Sequence, residues 1–141
     1  MNDQDLTAFA PVAPPTPEIR LTLLAAPSSV VLARHLVRYS LTSWGCDREL
    51  VQDSMLVMSE IVTNAVAAAR GREIRLRCTF QGEAPLLECW DPNPTLPTFT
   101  DAPETAETGR GLAIVAAYAK ATGTRPSATG QGKVIWALMP T

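Results

Sequence analysis

The prediction of the fold starts from the segment DRELVQDSMLVMSEIVTNAVAAA, residues 47–69. Asp47 is a suitable N-cap, and apolar side chains recur in steps of three and four residues over positions 48–69, which predicts a long helix. Further apolar residues cover much of its opposite side, and a helix that is apolar on both sides is normally buried. We therefore expect this segment to be the central helix of the fold. Its main ridge is formed by Val51, Met55, Met58, Val62, Ala65 and Ala69.

Shorter elements are predicted before the long helix. Alternation of apolar and polar residues predicts a strand over 19–23. Ser28 and Ser29 offer an N-cap, and helical spacing then predicts a helix over 30–42. The apolar side expected for that helix is formed by Val31, Leu32, His35, Leu36 and Tyr39.

Strand patterns return after the long helix. Residues 74–80 and 86–90 alternate on either side of a turn at 81–83, which predicts a hairpin. A third helix is predicted over 112–120, and the last two strands flank a glycine-rich turn at 130–132. This order of elements predicts an α+β fold, a two-layer sandwich with the helices on one face of a mostly antiparallel sheet.

The chain has the size and composition of one domain. Its 141 residues are 46% hydrophobic, which is enough to bury a core. Residues 1–17 are rich in proline and alanine and are expected to form a flexible tail. The remainder, 18–141, is predicted to be a single domain.

Charge and composition exclude several functions. Twelve lysines and arginines against fourteen acidic residues leave no basic excess, which argues against a dedicated nucleic-acid binder. One histidine excludes metal clusters built on histidine. Cys46, Cys78 and Cys89 are widely spaced, contain no CxxC, and fit a reducing compartment as buried small hydrophobes. The N-terminus is acidic and no apolar run approaches the roughly 20 residues of a membrane span, so the cytoplasm is expected.

Glu60 and Asn64 are the polar residues of interest on the long helix. Four positions separate them, so their side chains point the same way, one turn apart. They form either a partly exposed polar stripe or a metal–nucleotide site. In the second case Asn64 would offer a carbonyl oxygen to Mg²⁺, and Glu60 would be a base for a water or hydroxyl.

Asp91 ends a predicted strand and begins a long loop. The loop, about 92–108, contains four prolines and shows no periodicity, which is typical of a functional lid or a disordered segment. A loop aspartate is commonly a turn former. Alternatively, the carboxylate of Asp91 accepts a hydrogen bond from an exocyclic amine such as that of adenine.

Gly109-Arg110-Gly111-Leu112 is a glycine-containing turn at the predicted start of the third helix. Free N–H groups and the helix dipole create an anion site at such a position, and glycines let a phosphate come close. The same motif can equally be a hinge, and Arg110 can be solvated or pair with phosphate.

Together, these three patterns resemble the N, G1 and G2 boxes of the GHKL (histidine kinase-like) ATPases. The boxes read Glu60-Ile-Val-Thr-Asn64-Ala65, then Asp91-x-Asn93, then Gly109-Arg-Gly-Leu112, and the resemblance covers about residues 19–139. The chain is most similar to the small stand-alone anti-sigma-factor serine kinases and their actinobacterial relatives. SEIVTNA (59–65) and GRGLAIV (109–115) are typical of that subgroup, and GKVIW (132–136) resembles its final strand.

The resemblance implies a Bergerat-type ATPase fold with ATP and Mg²⁺ as cofactors. Asn64 would coordinate Mg²⁺, and Asp91 would contact the adenine amino group. Residues of about 92–108 would form the ATP lid, and Glu60 would be the catalytic base that activates a serine hydroxyl on a protein substrate. The nucleotide-binding set that the boxes imply is Asn64, Asp91, Asn93, Gly109, Arg110, Gly111 and Leu112.

The chain departs from the family pattern in three places. Asn93 occupies the usual glycine position of the G1 box, and because asparagine tolerates left-handed backbone angles we expect the turn to persist. Positions 67–69 are alanines where the subgroup often carries a basic residue or histidine. Val134 stands where a threonine is often found in the last strand.

Two functions follow from the resemblance. The first is an anti-sigma factor with serine/threonine protein kinase activity, which transfers the γ-phosphoryl group of ATP to a protein partner. The second is a catalytically weak, ATP-gated module that regulates a transcription-related partner without phosphorylating it. The partner would be a sigma factor, an anti-anti-sigma-like protein or another regulator, with no direct nucleic acid and no membrane. A homodimer is compatible with either function.

Overall fold

Three helices and five strands make up the described part of the chain. In a computed structural model, residues 16–95 and 107–141 are described, with the backbone alone for 107–110. The predicted tail before residue 16 and lid positions 96–106 lie outside the described residues. The elements are β1 (Glu18–Leu24), α1 (Pro27–Ser43), α2 (Arg48–Ala69), β2 (Glu73–Gln81), β3 (Ala84–Asp91), α3 (Glu107–Tyr118), β4 (Ala121–Pro126) and β5 (Lys133–Leu138).

The sheet has the order β1-β2-β3-β5-β4, and every neighbouring pair is antiparallel. Its inward side chains form one core with all three helices, which confirms the predicted α+β sandwich with helices on one face of the sheet. The strand side chains buried in that core are Ile74, Leu76, Cys78, Leu87, Cys89, Ile135 and Ala137. No helix in the described residues has the length and apolar character needed to span a bilayer.

The central helix has the predicted bounds. The Asp47 carboxylate accepts a hydrogen bond from the Leu50 amide at 2.8 Å, which confirms the N-cap. Val57, Met58 and Ile61 are 0% exposed. Burial of a side chain of this size contributes about 1.5–3 kcal/mol, so this one helix supplies a large part of the core.

Helix α1 differs from the prediction at its start and in its buried side. It begins at Pro27, a position that suits proline because the first-turn N–H needs no partner. Ser29 Oγ accepts a hydrogen bond from the Ala26 amide at 3.2 Å, so this serine lies in the first turn and is not the N-cap. The predicted apolar side is wrong: Val31 and Tyr39 are 54% and 71% exposed. The buried side is formed by Ser29, Ala33, Val37, Ser40 and Leu41, whose small residues let α1 lie close to α2.

The second strand of the hairpin brings residue 91 to one end of the sheet. Gln81 pairs with Ala84, and the two residues between them have positive φ, as a tight two-residue hairpin turn requires. Strand β3 then runs beneath α2 and ends at Asp91, which pairs with Lys133 at the start of β5. The ends of two central strands therefore meet at Asp91.

Helix α3 begins earlier than predicted. The glycine motif was expected to precede the helix, but the helix begins at Glu107, so Gly109 and Gly111 lie within its first turns. The N–H groups of the first four helical residues have no intrahelical partner, and here they belong to residues 107–110. The free donors predicted for the motif are thus displaced toward the beginning of the helix.

Candidate functional site

Asp91 is held by a buried ion pair. Its side chain is 0% exposed, and Oδ1 lies 3.0 Å from Nζ of Lys133, whose side chain is 2% exposed. The same Oδ1 accepts a hydrogen bond from the Asn93 amide at 2.9 Å, and Lys133 Nζ donates a second bond to the Asn93 carbonyl at 2.9 Å. Because a buried charge without a partner is costly, these contacts stabilise both ions in the interior.

The second carboxylate oxygen of Asp91 is unused. Oδ2 is buried and has no hydrogen-bond partner among the described residues. A buried acceptor of this kind normally has a donor, and an ionised carboxylate can only accept. The geometry therefore fits the predicted role of Asp91, in which a ligand amine supplies the missing donor.

Asn93 connects the loop after β3 to the central helix by a side-chain hydrogen bond. Its Nδ2 donates to the Ala68 carbonyl at 3.1 Å, and its Oδ1 accepts from the Thr95 amide at 2.9 Å. Asn93 does not use the left-handed backbone that asparagine tolerates, because Glu83 is the one non-glycine residue with positive φ among the described positions. Asn93 replaces the family glycine by side-chain hydrogen bonds instead.

Glu60 and Asn64 are half-buried on α2 and share one side of it with Ala68, each one turn from the next. Glu60 lies against α3: a Cβ built on Gly111 would be 2.9 Å from Glu60 Oε2. That separation is shorter than ordinary van der Waals contact, so the position accommodates glycine alone without a shift of the carboxylate. The structure thus brings together the glutamate of the first motif and a glycine of the third.

The remaining predicted residues frame the same region. Leu112 is buried at 8% exposure, and Gly109 and Arg110 belong to the first turn of α3. Within 16–95 and 111–141, no group of three His, Cys, Asp or Glu side chains is placed to hold a metal ion. Mg²⁺ commonly keeps waters and takes one or two protein ligands plus phosphate oxygens, which Asn64 alone can satisfy from the protein side.

Sequence reasoning missed Lys133. A lysine at the start of a strand that is otherwise apolar is the one available signal, since such a charge is buried only when it has a partner. Its neighbour Gly132 has a φ of 83°, and a Cβ there would overlap the Asp91 carbonyl oxygen. Trp90 Nε1 donates to the Gln131 carbonyl at 2.9 Å, which closes the β4–β5 turn over the end of β3.

An open groove of about 1080 Å³ runs between α1 and α2 and reaches Glu60. Arg34, Arg38 and Arg48 line it together with apolar side chains such as Met55. Among the described residues that line it, three are arginines and Glu60 is the one acidic residue. We call it the arginine groove.

Two of the three cysteines are unsuited to act as nucleophiles. Cys78 and Cys89 are buried, as predicted, while Cys46 is half-buried. Burial raises the pKa of the Cys78 thiol to about 12. Burial also raises the pKa of Cys89, and the nearby Asp91 charge adds to the effect. Both thiols therefore stay protonated at neutral pH.

Known proteins of the same fold have been solved. The RsbU and RsbW domains of Rv1364c from Mycobacterium tuberculosis match with a TM-score of 0.67 and 21% identity over 89% of this chain. This chain spans only 32% of that one. The SiaB–SiaC complex from Pseudomonas aeruginosa matches with a TM-score of 0.60 and 12% identity over 86% of this chain and 89% of that chain. These identities show a shared fold.

Family membership comes from the sequence itself. No curated protein sequence matches the chain significantly. The model of the histidine kinase-like ATPase domain matches residues 23–139, which include Glu60, Asn64, Asp91 and Gly111. The chain therefore belongs to the histidine kinase-like ATPase domain family.

Proposed function

We propose that the chain binds ATP with Mg²⁺ between α2, α3 and the end of β3. The single observation that carries this proposal is Asp91, whose buried Oδ2 has no donor among the described residues. The exocyclic amine of adenine supplies such a donor. The family supports the same ligand, since its members are ATPase domains.

Each further residue has a role that fits its place. Asn64 would hold Mg²⁺ through its amide oxygen. The first-turn N–H groups of α3 would bind phosphate oxygens, helped by the positive end of the helix dipole. Gly111 keeps the helix free of a side chain where it meets Glu60.

We further propose that the chain is a serine/threonine protein kinase of the anti-sigma type. Glu60 would accept the proton of the attacking hydroxyl, and bound Mg²⁺ would neutralise charge on the transferred phosphoryl group. The contact between Glu60 and Gly111 supports this role because it places a carboxylate beside the helix that would hold the phosphates. We expect the protein to act in the cytoplasm.

The arginine groove supports a protein partner. Arg34, Arg38 and Arg48 suit an acidic segment of a sigma factor or of a regulator that acts on one, and the groove leads to Glu60. A docked partner would therefore bring a hydroxyl to the end of the groove where the proposed base lies.

A second function has its own support. An ATP-gated binding module needs the nucleotide site and the arginine groove, but it does not transfer the γ-phosphoryl group. Positions 67–69 carry alanines where a basic residue is common in the subgroup, and Val134 replaces a common threonine. The alanines leave out a possible phosphate contact beside the site, which favours binding over rapid catalysis. Val134 lies beside Trp90 and Arg125 on the face of the sheet away from the helices, so its exchange does not bear on this choice.

The two functions are separated by transfer of label. The chain is incubated with ATP labelled at the γ-phosphate and with a panel of sigma factors and their regulators. The kinase proposal expects label on one partner, lost in Glu60→Ala and retained in Glu49→Ala, which alters an exposed glutamate in the first turn of the same helix. Nucleotide binding without label on any partner would contradict the kinase proposal and support the ATP-gated binding module.

A further inference from the structure

We propose that Lys133 is a positioning residue that sets the base specificity of the nucleotide site. It holds the Asp91 carboxylate so that only Oδ2 can meet a ligand, and the site thereby selects a nucleotide whose base carries an exocyclic amine. This inference rests on the proposed nucleotide binding, and it names the group that enforces the selectivity.

The contacts of Asp91 divide its two oxygens between two tasks. Oδ1 accepts from Lys133 Nζ at 3.0 Å and from the Asn93 amide at 2.9 Å. Oδ2 has no partner among the described residues. Two donors on one oxygen fix the plane of the carboxylate, so its second oxygen points in one direction before any ligand arrives.

Lys133 is itself held in place. It is the first residue of β5 and pairs in register with Asp91 across the sheet. Its Nζ also donates to the Asn93 carbonyl at 2.9 Å, and the residue is 1% exposed. Because Gly132 approaches the Asp91 backbone too closely for any side chain, the turn before Lys133 is packed against the end of β3.

The chemistry of this arrangement gives selectivity. An ionised carboxylate is an acceptor only, and Lys133 keeps a positive charge beside it. A base with an amine opposite Oδ2 completes the hydrogen bonds of Asp91. A base without the amine leaves a buried charged acceptor unpaired, which weakens binding by about 10- to 100-fold.

The first test compares two ligands that differ only in the amine. Dissociation constants of ATP and of purine riboside triphosphate, which lacks the 6-amino group, are measured by calorimetry with Mg²⁺ on the full chain. The wild type is expected to prefer ATP by about 10- to 100-fold. In Lys133→Met this ratio is expected to fall below about 3-fold. Lys120→Met, at the other lysine of the chain, which is exposed, should keep the wild-type ratio.

The ratio separates positioning from a merely structural role, because general damage to the site weakens both ligands equally. An undiminished ratio in folded Lys133→Met would overturn the inference. Equal binding of both ligands by the wild type would also overturn it. Absence of any ATP binding by the wild type would instead refute the proposed function.

A second pair of variants serves if Lys133→Met does not fold. In Asp91→Asn, the two donors at the Oδ1 position hold the amide oxygen of the new asparagine there. Its NH₂ group then faces the base, and the protein should no longer prefer ATP over purine riboside triphosphate. In the double variant Asp91→Asn/Lys133→Met no buried charge is left unpaired, the amide is free to turn, and the preference for ATP should return in part. The same ratio in both variants would contradict a positioning role for Lys133.

Discussion

Replacement of Gly111 by alanine separates stability from catalysis in this molecule. The new Cβ would lie 2.9 Å from Glu60 Oε2, and its next contacts, at 3.8 and 3.9 Å to Cβ and Cδ of Glu60, are ordinary. Only the end of a flexible side chain must therefore move, by about half an ångström to reach a normal van der Waals separation. The backbone of α3 has no need to shift.

The expected stability change is small and can be favourable. Alanine is better than glycine inside a helix by about 0.5–1 kcal/mol, and displacement of the Glu60 carboxylate offsets part of that gain. The rate of phosphoryl transfer should change more than the stability does. Misplacing a reacting group by about 1 Å can cost about 100-fold in rate, so half that shift predicts a loss of about tenfold.

Three measurements on Gly111→Ala test this reasoning. Thermal unfolding gives the stability, calorimetry gives the affinity for ATP with Mg²⁺, and labelled ATP gives the rate of phosphoryl transfer to a partner or to water. The control is Ala116→Gly at an exposed position of α3, which should lower stability by about 1 kcal/mol without slowing transfer. An unchanged transfer rate in folded Gly111→Ala would refute the role of Glu60 as the base.

Three other outcomes follow from the structure. Asn64→Ala should abolish the Mg²⁺ dependence of ATP affinity in calorimetry, and an equal response to Mg²⁺ would contradict its role as ligand. Lys133→Met, which breaks a buried pair, should lower the free energy of unfolding in urea by about 3–5 kcal/mol, whereas Glu73→Gln, which breaks an exposed pair, should cost about 0–1 kcal/mol. The pKa of the Cys78 thiol rises from 9.0 to about 12 on folding, so the unfolded chain loses its thiol proton first. The free energy of unfolding should therefore fall as the pH rises above about 9. A urea midpoint that stays constant from about pH 9 to 11 would contradict this.

Elements with local signals were predicted well. The N-cap and bounds of α2 agree with the structure because capping and helical periodicity act within a few residues. The hairpin of β2 and β3 is correct for the same reason. The start of α3 was misplaced because the two glycines were taken to form a turn at the start of the helix, whereas the helix includes both and Gly111 lies against Glu60.

The buried side of α1 shows where local signals end. Two different ridges of this helix carry apolar residues, and spacing alone selected the one with Val31 and Tyr39. The structure buries Ala33 and Val37 instead. Which ridge faces inward depends on the surface of α2 against which it packs. The ridge with small residues is buried because it allows the two helices to pack closely.

Patterns along the chain were enough to identify the family, the central helix and the three motifs, because each depends on residues that are neighbours in sequence. Tertiary structure alone decided how the motifs act together. The buried bond between Asp91 and Lys133 joins residues 42 positions apart, and the contact of Gly111 with Glu60 joins two helices. Such pairings depend on strand register and helix packing, which no local pattern encodes, and they decide which oxygen of Asp91 is left for a ligand.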